Sequence, residues 1–169
     1  MIYYRHKGEF FQMTDREVGY EETKPLRAGV VAGAIGMVLV FVIHLALYTG
    51  GIGQEPVALR FTEQWMGLHG ANAIGIGLLL FLIAGAGWGA AYAAWVNKTS
   101  IGTGAAFGLV PWLANMFVLK PFVSQPLLAG GDPLGIFVPL ILLVFWGAFV
   151  GALVPALPFP RQVWWNDRG

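Results

Sequence analysis

The chain has 169 residues, a formal net charge of +1, 57% hydrophobic and 11% charged residues, and no cysteine. A soluble domain carries about 25% charged residues, and a chain this short cannot hide so much apolar surface in a water-facing core. The near-neutral charge speaks against a nucleic-acid partner, and the lack of cysteine removes disulfides, thiolate metal sites, iron–sulfur clusters, covalent haem attachment and thiol nucleophiles.

Residues 1–27 read as a cytoplasmic tail. Arg5, Lys7, Arg16, Lys24 and Arg27 balance Glu9, Asp15, Glu17, Glu21 and Glu22, so the tail is not a polybasic lipid tether. It has no short apolar core followed by a cleavage site, and no cleaved signal peptide is expected. Tyr3, Tyr4, Phe10, Phe11 and Tyr20 suit a docking surface, and Thr14 with Glu17 fits a capping box.

Four runs without Asp, Glu, Lys or Arg follow: Ala28–Thr49, Gly70–Val96, Ile101–Leu119 and Leu134–Leu157. Each approaches or exceeds the roughly 20 residues a spanning helix needs. All are too continuously apolar for barrel strands, which alternate. The second and longest run should tilt or begin as an interfacial segment. The loop Gly50–His69 predicts a short interfacial helix over Pro56–Trp65. The loop Lys120–Pro133, rich in Pro and Gly, predicts irregular structure. Residues 158–169 read as a second cytoplasmic tail.

The resulting fold class is all-α, a polytopic membrane protein with four transmembrane helices in two parallel helix-pair repeats. Arg5, Lys7, Arg16, Lys24, Arg27, Lys98, Arg161 and Arg168 fall on one side and only Arg60 and Lys120 on the other. The positive-inside rule then puts both termini in the cytoplasm. Trp95, Trp164 and Trp165 would mark the cytoplasmic interface, Tyr48 and Trp65 the outer one.

The membrane domain, residues 28–157, repeats itself as 28–96 and 101–157. An offset of 58 residues carries Leu82-Ile83 onto Leu140-Ile141, Trp88-Gly89-Ala90 onto Trp146-Gly147-Ala148 and Val96 onto Val154. An offset of 75 carries Gly29 and Gly33 onto Gly104 and Gly108. Two spans per copy leave the copies in the same orientation, related by a pseudo-twofold along the membrane normal.

Every span holds a Gly-x-x-x-Gly pair: Gly29/Gly33, Gly85/Gly89, Gly104/Gly108 and Gly147/Gly151. Each pair is a flat stripe on which another helix can approach closely, in a tight bundle or against a partner subunit. At 100° per residue, His44 lies within about 20° of Gly33, and Asn115 within about 20° of Gly104 and Gly108, with Pro111 on the same face. A structural hydrogen bond is the first expectation for these two polar groups, either between them or from His44 to a carbonyl freed by Pro111. The alternatives are a haem or chlorophyll-type pigment on His44 with His69, and a quinone or proton site near the outer face.

Arg27-Ala28-Gly29-Val30-Val31-Ala32-Gly33, Gly104-Ala105-Ala106-Phe107-Gly108-Leu109-Val110-Pro111-Trp112 and Trp146-Gly147-Ala148-Phe149-Val150-Gly151-Ala152-Leu153 together resemble the small four-span bacterial membrane proteins of the YagU-like type. The resemblance covers about residues 26–157. It implies a bacterial inner-membrane protein and brings no catalytic residues with it.

No span holds a carboxylate or cation, as transporters and pumps usually do at mid-membrane. No paired carboxylates, Ser/His/Asp set or metal-ligand spacing occurs, and Gly75 with Gly77 lacks the strand of a nucleotide loop. The expectation is a non-catalytic accessory subunit of a larger membrane complex, a respiratory or photosynthetic electron-transport assembly. Other subunits and bound lipids would be its partners. A small oligomeric channel or transporter and a pigment-binding subunit using His44 and His69 are the rival readings.

Overall fold

The computed structural model describes residues 5–6, 9–10 and 26–157. The capping box at Thr14 and Glu17, and Trp164-Trp165, lie outside them. The chain divides into a helical unit, residues 24–159, and a second unit from the flanking segments. In the second, Arg5–His6 pairs antiparallel with Glu9–Phe10, Arg5 opposite Phe10.

Among the described residues, four helices are long and apolar enough to cross a membrane: Leu26–Thr49, Ala71–Trp95, Ile101–Phe122 and Pro133–Ala156. These are the first to fourth spans, and the protein is a multi-pass membrane protein. A lipid environment explains the composition: helices and closed barrels satisfy their own backbone there, and these spans are helices. Leu39, Val42, Ile83, Val118 and Ile141 point outward to meet hydrocarbon. The second span is one continuous helix with no separate interfacial start.

The third span differs from its expected form. It starts with a capping box: the Ser100 hydroxyl accepts from the Thr103 N–H, and Thr103 Oγ1 accepts from the Ser100 N–H. It does not stop at Leu119. Asn115–Leu119 forms a π turn, and the helix then continues through Lys120–Phe122. Lys120, assigned to a loop by its charge, is therefore the last-turn residue of a span, and the expectation that no span holds a cation is wrong.

The glycine stripes set how the spans pair. A Cβ on Gly29 would collide with the Gly89 carbonyl, and one on Gly33 with the Gly85 carbonyl, so the first and second spans touch backbone to backbone. In the second copy a Cβ on Gly104 would strike the Gly147 carbonyl, and one on Gly108 the Leu143 carbonyl. The two sets of contacts coincide under the offsets of 75 and 58 residues. All eight glycines are spent inside the chain, between the spans of one pair, and none is left as a stripe for a partner helix. Small residues supply such contact because lipid offers no hydrophobic drive between helices.

The first span also packs against the fourth. Ala32, Val40, Trp146 and Val150 join one buried cluster with Tyr92 from the second span. Two chain segments close the bundle at one end, the capped end. One is the short helix Val57–Met66, which begins after Pro56 and stops at Gly67 with φ 64°. Its buried Leu59 reaches Phe41 and Ala73, and fits because Gly77 has no side chain. The other is the turn Leu127–Gly131, in which Leu128, Ala129 and Gly130 all have positive φ.

Candidate functional site

Beneath the cap, the four spans surround a cavity of about 290 Å³. Met37, Val40 and His44 face it from the first span, Leu80, Phe81, Ala84 and Trp88 from the second. Pro111, Asn115 and Leu119 come from the third span and Pro139, Leu142 and Leu143 from the fourth, with Val57, Ala58 and Phe61 of the short helix above. Among the described residues, only His44, Asn115 and Trp88 bring polar side chains to this lining.

The cavity opens sideways, between the second and third spans. Ala84, Leu119 and Phe122 line it yet are exposed on the outer surface. The two spans are held together near Trp95 and Ile101, where Phe107 meets the rings of Trp88, Tyr92 and Trp95. The buried Tyr92 hydroxyl lies 3.0 Å from Thr103 Oγ1. At the capped end Phe122 stacks on Trp65 at 5.4 Å and on Phe61 at 6.3 Å. Between these two aromatic clusters is a doorway facing hydrocarbon.

A polar roof separates the cavity from the capped surface, with Gln54 at its centre. His44 Nε2 lies 3.2 Å from the Gln54 carbonyl oxygen. A carbonyl only accepts, so Nε2 carries the proton. The Gln54 amide donates to the Ala129 carbonyl at 3.1 Å, and its Oε1 accepts from Lys120 Nζ at 2.8 Å. Lys120 also donates to the Gly135 carbonyl at 3.1 Å and is only 2% exposed. That carbonyl is free because Pro139, four residues on, has no N–H to offer it. A Cβ on Gly135 would sit 2.6 Å from Ala129 Cβ and 2.8 Å from Gln54 Cδ, so only glycine admits the contact. Gln125 and Gln64 tie the same segments together, through the Glu55 carbonyl at 3.3 Å and Ser124 Oγ at 3.1 Å.

The sequence-predicted polar residues are distributed as follows. His44 and Asn115 share the cavity, but His44 bonds to Gln54 rather than to Asn115 or a carbonyl freed by Pro111. The Asn115 carboxamide has no hydrogen-bond partner among the described residues. His69 is exposed in the loop before the second span and does not line the cavity, so the two histidines are not brought to one site. Gln54, Lys120 and Trp88 are additions. The signals for them were Pro139 four residues after Gly135, and the repeat that equates Trp88 with Trp146.

Outside the spans, Glu55 begins the roof segment. Its side chain is 16% exposed and 3.9 Å from Arg60. Burial, helped by the nearby Glu63 charge, raises its carboxyl above the ordinary carboxylate range. No family model, curated protein or solved structure matches this chain.

Proposed function

We propose that this protein is a non-catalytic subunit of the bacterial inner membrane that holds a lipidic molecule in its central cavity. On this reading it belongs to a larger assembly, a respiratory or photosynthetic electron-transport complex, and both termini are cytoplasmic. The observation that carries the proposal is the cavity itself: apolar, roofed toward one surface, and open to hydrocarbon between the second and third spans. Concave, mostly apolar sites with a few polar groups are where small molecules bind. A conducting pore would need a polar path, and this lining offers three isolated polar groups. Because the glycine stripes are consumed internally, contacts with other subunits fall to the aromatic tail and the lipid-facing surfaces.

The test is purification in mild detergent followed by native mass spectrometry and native gels. One lipid molecule should stay with each chain through washing and be lost in Ala84→Trp, which fills the doorway. Wild-type protein that retains no lipid overturns the holding role. Migration solely as a lone chain or homodimer overturns membership of an assembly.

A further inference from the structure

The internal repeat relates two seams between the helix pairs, first span to fourth and third span to second, and the two seams are not alike. The first-to-fourth seam is shut. Trp146 is fully buried in it, and its Nε1 donates to the Gly33 carbonyl at 3.0 Å. Its ring fills the space left by Gly36, where a Cβ would lie 2.8 Å from Trp146 Cδ1 and 3.0 Å from Phe149 Cδ1. One turn on, Val40 is 2% exposed.

The offset of 75 residues puts Pro111 in the place of Gly36 and Asn115 in the place of Val40. The offset of 58 puts Trp88 in the place of Trp146 and Ala91 in the place of Phe149. Each change works against closure. A proline ring occupies the slot an indole would need, and alanine removes the bulk of phenylalanine. Trp88 is accordingly only partly buried, and its N–H has no acceptor among the described residues. The same set of differences installs the Asn115 carboxamide in the gap.

The unshut seam therefore brings Trp88 and Asn115, whose side-chain polar groups have no partner among the described residues, to an otherwise apolar wall. Polar groups so placed seek a partner. That partner is uncharged, because among the described residues no carboxylate or cation lines the cavity and a charged head would lose its hydration with nothing to replace it. Lys120, the nearest buried cation in the roof, is committed to Gln54 and Gly135. The volume suits a head group, with the tail running out through the doorway into the bilayer.

We propose that the seam between the second and third spans admits an uncharged lipid bearing a hydroxyl or carbonyl oxygen, held at that oxygen by Asn115 and Trp88. This rests on the cavity being a ligand site. Two sources share the chemistry, a quinone or quinol and a long-chain alcohol.

The experiment measures binding of decylubiquinone, dodecanol, dodecane and dodecanoate to the delipidated full chain, by native mass spectrometry at neutral pH. At least one of the first two should bind about tenfold or more tightly than dodecane and dodecanoate. Asn115→Leu should abolish that preference and leave dodecane binding unchanged, and Trp88→Phe should weaken it. A stronger quinone names the quinone source, a stronger alcohol the alcohol source. Dodecanoate binding as tightly as the better of decylubiquinone and dodecanol overturns the proposal. So does a preference that survives both Asn115→Leu and Trp88→Phe. Four probes bound without discrimination would overturn this inference alone. If no probe binds and the untreated chain carries no lipid, the holding role falls with it.

Discussion

The indole N–H of Trp146 donates to the Gly33 carbonyl at 3.0 Å across 113 residues of chain, and this bond joins one helix pair to the other. Its repeat-related counterpart, Trp88, makes no such bond among the described residues. Trp146→Phe should therefore cost about 1–3 kcal/mol, from a lost buried hydrogen bond and a small void. Trp88→Phe should cost under about 1 kcal/mol by the same reasoning. Thermal unfolding of both variants in one detergent checks the difference, and equal losses would contradict the two-seam description.

The glycine contacts predict a sharp positional contrast along one helix. A Cβ at Gly89 would collide with the Gly29 carbonyl, whereas one at Gly87 meets nothing within 4 Å. Gly89→Leu should destabilise by about 3 kcal/mol or more, since the backbones must separate. Gly87→Leu should be close to neutral. The unfolding midpoints of the two variants decide it.

Lys120 and Gln54 form an asymmetric pair. Lys120→Met leaves the Gln54 Oε1 and the Gly135 carbonyl unpaired, at about 1–3 kcal/mol. Gln54→Leu leaves a buried ammonium with one acceptor and should cost more, about 3–5 kcal/mol. The double variant should fall short of the sum by about 0.5–3 kcal/mol. A double-mutant cycle on unfolding free energy measures this coupling, and strict additivity would show that the roof is not one network.

Glu55 predicts a pH dependence with a definite sign. Its carboxyl is raised in the fold, first by burial and then by Glu63. The folded state therefore binds this proton more tightly than the unfolded chain does. The stabilisation is fully present below the unfolded pKa and is lost as pH rises through the folded one. Glu55→Gln should flatten the fall in midpoint as pH rises out of the ordinary carboxylate range, and should raise stability once the native carboxyl has ionised. An unchanged slope would remove Glu55 as its source.

The proposed orientation is open to direct labelling, because the chain has no native cysteine. Asn97 and Leu127 are exposed at opposite ends of the bundle. With both termini cytoplasmic, a membrane-impermeant maleimide should label Leu127→Cys in spheroplasts and reach Asn97→Cys only after lysis. The reverse pattern would invert the assignment.

The spans and their pairing were legible because both depend on local features. A charge-free run of the right length, and glycines four residues apart, determine burial and close approach wherever they occur. Gly29 with Gly89 and Gly104 with Gly147 were within reach of the repeat alone. The roof was not. A 3.6-residue period stops the third span at its first charge, but the π turn at Asn115–Leu119 widens the helix by one residue and brings Lys120 inward. The acceptor it meets exists because Pro139 withholds an N–H from Gly135, fifteen residues further along. The doorway was hidden for a similar reason. It arises from where two copies differ, in Pro111 and Asn115, whereas a search for repeats registers where they agree.

Two joined copies can do what a self-associating helix pair cannot. In a symmetric dimer every substitution appears twice, so both seams would be sealed or both left ajar. Duplication within one polypeptide lets each seam evolve alone. One has become a strut, with an indole bolted to a backbone oxygen, and the other a port with a single carboxamide on its frame. The molecule consequently has a front and a back in the plane of the membrane, and on the proposed function anything delivering a lipid to it, or taking one away, has only one side to approach.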